Sequence, residues 1–340
     1  MKTIKIKYVD FWEHWNQENN FITNCLRKKY NIVFSNDPDY IIFSHFDKRC
    51  RHMNYDDCVK IFYTQENICP DFNFCDYGIS FEKMDYGDRH LRFPIFFIEE
   101  RYGNDWRKML EKHKILSKDE KLFLNREFCS FVVSNGNGSS MRTQMFESLC
   151  QYKQVHSGGR YMNNIDMPKG VPDKFKFAKA HKFSLCFENS SHPGYVTEKI
   201  IEGFAAQTIP IYWGSPDVTE IFNSEAFIDV SKFENIDDAV EYIKKIDQDD
   251  EKYLSMLKTP ALNPGYEDIW NRKQKELETF FDTIFEQTKE NSYRRNRVFW
   301  GERYSKLYKT MRNLYVLFCQ NVVIRAPREF VHFVRNQKRK

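Results

Sequence analysis

The sequence predicts an α/β protein of two domains built on parallel sheets, followed by a basic helical tail. Apolar runs that end in polar clusters recur along the chain, as in Val59–Thr64 before Gln65, Glu66 and Asn67, and Phe183–Phe187 before Glu188, Asn189, Ser190 and Ser191. This is the pattern of buried strands that deliver polar groups to one edge of a sheet. Strand-like and helix-like segments alternate, which favours a parallel sheet with crossover helices. A chain of 340 residues, 41% hydrophobic and 16% aromatic, is long enough for two cores of ordinary size.

Charge is unevenly spread. The net charge is +4, but residues 291–340 hold 13 Lys and Arg against 2 Glu, so the first 290 residues carry a net −7. The basic balance belongs to the tail and not to the body, which argues against general nucleic-acid binding. Nine cysteines are scattered with no C-x-x-C pair and no His-Cys cluster at zinc spacing, so reduced, mostly buried thiols are expected. The opening MKTIKIKYVDFW has charges where a signal peptide needs an apolar core, and no window has the length of a membrane span.

The elements follow in order. Thr3–Val9 alternates as a strand, Trp15–Tyr30 reads as a helix, and Ile32–Ser35, Tyr40–Ser44 and Val59–Thr64 are further strands. Glu66, just past the last of these, is either a solvated acid at a strand end or a general base. Arg89 and Arg92 read as surface partners of carboxylates and are kept out of the site. Trp106–Glu120 is charged and helical, and a domain boundary is expected near Lys118–Leu124. Phe128–Val133 opens the second domain as a strand and leads into SNGNGSSMRTQMFESL, whose Asn-Gly repeats suit a phosphate loop. Ser139 or Ser140 caps the next helix, leaving Arg142 in its first turn either on the surface or on a pyrophosphate. The tight turn at Ser157, Gly158 and Gly159 is equally a plain loop or part of a ligand cleft.

The most informative stretch is Lys182–Asp229. Phe183–Phe187 is a strand, Pro193 and Gly194 turn the chain, Tyr195–Gln207 reads as a helix, and Ile209–Trp213 is a second strand. Such a βαβ unit places the loop before its helix at the carboxyl edge of the sheet, where ligands of open α/β sheets bind. The helix amino end favours an anion and Lys199 adds a full charge. Tyr195, Glu198 and Lys199 lie within about one turn. Lysine for phosphate, carboxylate for a diol and an aromatic ring for a sugar or base face together suit a nucleotide diphosphate sugar. The plain alternative is a solvated helix face with Tyr195 as packing.

Two short helices are expected at Ile236–Ile246 and Asp250–Leu257, and Pro260–Gly265 breaks the pattern. In the tail, Tyr304, Leu307, Tyr308, Met311, Leu314, Tyr315 and Phe318 share one helical face flanked by Arg303, Lys306, Lys309 and Arg312. That face either packs on the body or lies on an anionic membrane surface. For Val322–Lys340 the membrane is favoured.

FENSSHPGYVTEKIIEGF followed by TIPIYWGSPDV resembles the signature of the bacterial-type α-1,3-fucosyltransferases, glycosyltransferase family ten. FYTQENICPDFNFCDYGISF and DYGDRHLRFPIFF extend the likeness more weakly, so that it runs from about Val59 to Pro260. The resemblance implies a GT-B fold, with two Rossmann-like domains facing across a cleft. On that reading residues 1–120 bind the acceptor, 121–290 bind GDP-fucose and 291–340 form the tail. It implies Glu66 as base, Arg142 and Lys199 on the pyrophosphate, Glu198 on a sugar diol, and Asn189 and Tyr195 on the donor's other polar groups and ring. The implied reaction moves L-fucose with inversion onto N-acetylglucosamine of a lactosamine-type glycan in a cell-surface polymer such as lipopolysaccharide O-antigen. No cofactor is obligatory, and a divalent cation is expected at most to stimulate. The Asp-x-Asp triplets at Asp37–Asp39 and Asp247–Asp249 are not read as metal sites. The apparent lack of an N-terminal anchor places the enzyme in the cytoplasm, peripheral on the inner face of the membrane. The family's C-terminal heptad repeats are not visible, which puts any dimer built on them in question. Two rival readings are an inverting transferase using another nucleotide sugar and a non-catalytic glycan-binding or membrane-scaffold protein.

Overall fold

A computed structural model of the chain describes residues 1–98, 100, 101, 104, 105, 108, 110, 120–295 and 299–321. Most of the helix expected at Trp106–Glu120, and the tail from Val322 to Lys340, lie outside the described residues. The chain forms two compact units. One takes in Met1–Tyr63, Pro70–Gly78 and the described residues from Thr283 on, the other Thr64–Cys69 and Ile79–Asp282.

The first unit is built on strands β1 (Thr3–Val9), β2 (Asn31–Phe34), β3 (Tyr40–Phe43) and β4 (Val59–Tyr63), with helix α1 (Phe21–Arg27) between β1 and β2. Within this unit the strand order is β2-β1-β3-β4, and β1 pairs parallel with both β2 and β3; β5 (Tyr77–Ser80) begins in this unit, and β6 (His90–Arg92) lies in the second. Chain connections therefore leave β1 in opposite directions, which makes the carboxyl ends of β1 and β3 a switch point. Val9, Ile41, Phe43, Cys58, Phe62 and Cys75 form its apolar cluster. Helix α1 is shorter than the expected Trp15–Tyr30. Trp15 stacks its ring on Phe11 at 4.4 Å instead. Asn16 accepts from the amides of Glu18 and Asn19 at 2.9 and 3.2 Å, and Asn20 caps the helix by accepting from the Thr23 amide at 2.9 Å. Asparagine side chains that bond the nearby backbone compete with a helix, and here they delay its start.

The second unit contains a short antiparallel hairpin, β7 (Glu100–Arg101) with β8 (Asn104–Asp105), then helix α2 (Glu120–Leu124). Its main sheet uses β9 (Glu127–Phe131), β10 (Val155–Ser157), β11 (His181–Phe187), β12 (Ile209–Trp213) and β13 (Ile228–Asp229) in the order β10-β9-β11-β12-β13, every pair parallel. Between the strands run α3 (Met141–Tyr152), α4 (Lys174–Lys179) and α5 (Glu198–Ala205), followed by α6 (Ile236–Asp247), α7 (Asp250–Lys258) and α8 (Ile269–Phe285). All seven residues of β11 are buried, as expected of a central strand covered on both faces. The chain leaves β9 for β10 on one side and returns to β11 on the other. The loops after β9 and β11 therefore diverge and open a crevice between them.

Each Asp-x-Asp triplet contains a carboxylate with a local partner. Ser35 Oγ donates to the Asp37 carbonyl at 3.1 Å, while the Asp39 side chain lies 3.8 Å from Lys289. Buried Asp247 accepts from Tyr152 at 3.0 Å and Lys182 at 3.3 Å, and Asp249 caps α7 by accepting from the Lys252 amide at 3.0 Å. Among the described residues, Cys50, Cys58, Cys129, Cys150 and Cys186 are free thiols.

The start of the tail is anchored in the first unit. After α9 (Lys289–Ser292), Arg295 is 5% exposed and donates to the Asp76 carboxylate and to the carbonyls of Asp56 and Cys58. Helix α10 (Phe299–Asn321) sets Tyr304 and Tyr308 against Phe74, with ring centroids 5.6 and 4.9 Å apart, and pairs Lys309 with Asp56 at 2.7 Å. Trp300, Leu307, Met311, Leu314 and Leu317 stay exposed. Within this face Tyr304 and Tyr308 thus meet Phe74 of the body, while each keeps part of its ring in solvent. No helix among the described residues is long and apolar enough to cross a membrane.

Candidate functional site

The crevice in the second unit holds a cavity of about 350 Å³, within the usual range for small-ligand sites. Glu66, Arg142, Asn189, Tyr195, Glu198 and Lys199 all line it. Six residues spread over 134 positions of sequence are brought to one space by the loops after β9 and β11 and by the segment Thr64–Cys69.

The loop after β9 explains its Asn-Gly repeats. A Cβ on Gly138 would lie 2.9 Å from Arg142 Nη1, so glycine leaves room for the guanidinium to lie against the loop. Arg142 is 3% exposed. Its Nη2 donates to the Phe187 carbonyl at 3.1 Å and to Asn189 Oδ1 at 2.8 Å, and its Nη1 donates to the Asn135 carbonyl at 3.3 Å. Nε is buried without a hydrogen-bond partner among the described residues. Burial pulls this guanidinium below its ordinary pKa, against the field of Glu188. A cation held by carbonyls and an amide, with a donor left over, is suited to an incoming anion. The Ser139 amide donates to the Asn189 carbonyl at 2.9 Å, tying the two loops together. The turn at Ser157–Gly159 does not line the cavity. Gly159 packs instead on Val133, which does; a Cβ there would sit 1.9 Å from the Val133 carbonyl oxygen.

The loop after β11 differs from the expected helix at Tyr195–Gln207. Helix α5 starts at Glu198, with Thr197 as N-cap, and Gly194 turns the chain at φ +80°. The cause is Glu188, which is 0% exposed. Its carboxylate accepts from the Thr197 amide and hydroxyl, each at 2.7 Å, and from Lys199 Nζ at 2.9 Å. Thr197 thus spends its hydroxyl on Glu188 and not on a cap bond of its own. Tyr195 therefore precedes the helix. Its ring is 1% exposed and meets Phe81 edge-on at 4.9 Å, and burial pushes its hydroxyl above the usual phenol range.

Lys199 is also less free than its sequence suggests. Besides Glu188 it has Glu198 at 3.6 Å and donates to Thr197 Oγ1 at 2.8 Å. Desolvation pulls its ammonium down, but the fields of Glu188 and Glu198 more than offset this and leave it above the ordinary lysine range. Burial raises the Glu188 carboxyl against the pull of Lys199. A second ion pair, Lys174 on α4 with Glu202 on α5, lines the same cavity. Sequence reasoning gave no role to Glu188, Lys174 or Glu202.

Glu66 lies at the rim and is exposed. Its amide donates to Thr64 Oγ1 at 3.1 Å, and the next residue, Asn67, donates to Ser190 Oγ at 2.6 Å. The segment after β4 is in this way fastened to the polar end of β11. The site therefore combines one exposed carboxylate with a buried guanidinium and an ammonium, both shielded from water. This arrangement can hold a diphosphate while a base works at its edge.

Comparison with known proteins adds to this geometry. Residues 6–99 match the family model of the α-(1,3)-fucosyltransferase FucT N-terminal domain, and residues 122–274 match that of the glycosyltransferase family 10 (fucosyltransferase) C-terminal region. The chain is 33% identical over 318 residues to α-(1,3)-fucosyltransferase FucT of Helicobacter pylori, covering 83% of this chain and 66% of that protein. It is 31% identical over 170 residues to putative fucosyltransferase R654 of Acanthamoeba polyphaga mimivirus, covering 46% of this chain and 28% of that one. The chain thus spans at most 66% of the length of these two relatives. A crystal structure of an α1,3-fucosyltransferase superposes with a TM-score of 0.72 at 30% identity, over 88% of this chain and 93% of that one. One with GDP-fucose superposes with a TM-score of 0.69 at 30% identity, over 84% and 92%.

Proposed function

The chain belongs to glycosyltransferase family 10, the fucosyltransferases, and from that premise we propose that it transfers L-fucose from GDP-fucose, with inversion, to the 3-hydroxyl of N-acetylglucosamine in a lactosamine-type glycan. The observation that carries the reading is the buried Arg142, bound by carbonyls and one amide and left with a spare donor, in the cavity that Lys199 and Glu66 also line. Arg142 and Lys199 take the diphosphate and stabilise the charge that builds on GDP as the glycosidic bond loosens. Glu198 takes a diol of the donor, Asn189 is held by Arg142 to meet its remaining polar groups, and Tyr195 forms a wall. Glu66 accepts the proton from the acceptor hydroxyl, which attacks fucose on the face opposite GDP. Since cations of the chain meet the leaving group, a divalent metal at most stimulates.

The product is a fucosylated cell-surface glycan, with an O-antigen as the natural setting. The exposed apolar residues of α10, flanked by lysines and arginines, rest on the anionic inner face of the cytoplasmic membrane. Changing Trp300, Leu307 and Met311 together to serine is expected to lower binding to vesicles rich in anionic lipid at least tenfold; unchanged binding would remove this part of the proposal.

The test of function is incubation with GDP-fucose and N-acetyllactosamine, with the product linkage read by NMR. An α-fucosyl group on the 3-hydroxyl is expected. Glu66→Ala is expected to abolish transfer while GDP affinity stays within about twofold, and normal turnover by this variant would remove the assigned base.

A further inference from the structure

The first unit holds a cavity of its own, of about 570 Å³, lined by residues of β4 and the loop before it, by Phe74 and by α10. It shares no lining residue with the cavity described above.

Its floor carries a charge that nothing in the protein answers. Lys60, on β4, lines the cavity and is 6% exposed. Its amide donates to the Asp76 carboxylate at 2.7 Å, yet among the described residues no hydrogen bond or ion pair reaches its ammonium. Asp76 is fully buried and already committed: it accepts from the amides of Arg294 and Arg295 at 2.7 and 2.8 Å and pairs with the Arg295 guanidinium. With Arg295 matched by Asp76, the buried charges around the floor leave an excess of one positive charge, and it sits on Lys60. Burial, and next the field of Arg295, pull that ammonium down to about 8. A buried ammonium without a partner is costly, so a ligand that brings the counter-charge is strongly favoured there.

The mouth is different. Lys309 pairs with Asp56 at 2.7 Å and Lys306 lies 3.9 Å from Glu302, and Asp56, Glu302 and Lys306 are mostly in water, so these charges cancel and are screened. Asp57, also exposed at the mouth, can accept hydrogen bonds from hydroxyl groups. The rings of Phe74 and Tyr293 line the cavity as well, and the Tyr293 ring lies 4.3 Å from the Arg295 guanidinium. An ammonium with its three donors free suits the several oxygens of a phosphate better than the two of a carboxylate. The cavity is roomy enough for a small body attached to that phosphate.

We propose that this cavity binds the phosphate monoester of a free polyol, with the phosphate on Lys60 and the hydroxyls toward Asp57. The site does not depend on the transferase reading.

The test is calorimetric titration of glycerol 1-phosphate into the full chain at saturating GDP, which keeps the probe out of the other cavity. Binding is expected. Lys60→Met should weaken it at least tenfold, as a lost charged hydrogen bond implies. Arg142→Ala should leave it within twofold. Asp57→Asn should weaken glycerol 1-phosphate and leave inorganic phosphate unchanged. No binding by the wild type, an affinity within twofold of wild type in Lys60→Met, or an equal loss in Arg142→Ala would overturn the site. If Lys60→Met fails to fold, labelling of the wild type decides: glycerol 1-phosphate should slow acetylation of Lys60, read by mass spectrometry, at least tenfold, and an unchanged rate would count against the site. Phosphatidic acid has the same phosphate monoester. Vesicles of it that protect Lys60 when glycerol 1-phosphate does not would assign the cavity to a lipid head and overturn the free ester.

Discussion

Replacing Glu188 with glutamine would keep the size of the side chain and one of its two acceptor oxygens while removing its charge. In the native protein the carboxylate is fully buried and takes bonds from the Thr197 amide, the Thr197 hydroxyl and Lys199 Nζ at 2.7, 2.7 and 2.9 Å. Without it, Lys199 keeps only Glu198, at 3.6 Å, as a carboxylate partner, and its side chain is only 17% exposed, so water cannot fully replace what is lost. Removing one member of a buried ion pair costs about 3 to 5 kcal/mol. Because Glu198 remains and the amide still accepts from Thr197, we expect the lower end, about 3 kcal/mol. Urea denaturation of wild type, Glu188→Gln, Lys199→Met and the double variant measures it. The double variant should be more stable than the sum of the single losses implies, by about 2 kcal/mol, because neither charge is then stranded. Saturating GDP should stabilise Glu188→Gln more than wild type, since a diphosphate supplies the missing negative charge. A glutamine variant within about 0.5 kcal/mol of wild type, or strict additivity in the double variant, would refute this account of Lys199.

Two further predictions follow from other buried cations. Arg142→Ala should weaken GDP binding by about 1 to 3 kcal/mol, roughly 5- to 150-fold by calorimetry; Arg142→Lys should recover little, because a point charge cannot span the Phe187 carbonyl and Asn189 Oδ1. Lys60, 6% exposed, is pulled by burial, and next by Arg295, from 10.5 to about 8. Between about pH 8 and 10.5 the unfolded chain holds a proton that the folded one has shed, so this site's contribution to stability rises with pH there, and below pH 8 it is a constant penalty of about 3 kcal/mol. Lys60→Met should therefore be more stable than wild type at pH 7 and should flatten the rise between pH 8 and 10.5, as read by urea denaturation at both ends of that range.

Much of this was legible in the sequence because parallel sheets announce themselves. Val59–Tyr63 and Phe183–Phe187 are apolar runs interrupted only by Lys60 and Ser184, with every residue buried, and the polar residues that end such strands must lie at a carboxyl edge. Arg142, Asn189, Glu198 and Lys199 could be named from that logic and from the family signature. Glu188 could not be singled out, because a carboxylate at a strand end looks the same in sequence whether it faces water or closes a helix amino end from within. The misplaced start of α5 has the same origin: no local propensity shows that a residue nine positions earlier will take the Thr197 amide. Lys174 and Glu202 lie 28 positions apart, and only the packing of α4 beside α5 joins them. In α1 the periodic pattern was genuine, but the Asn16 and Asn20 side chains captured the backbone before the helix could begin.

The most direct measurement is a crystal structure of this protein with GDP-fucose. The account predicts diphosphate oxygens within hydrogen-bonding distance of the Arg142 guanidinium and the Lys199 ammonium. A nucleotide seated elsewhere, or a diphosphate that touches neither cation, would contradict it.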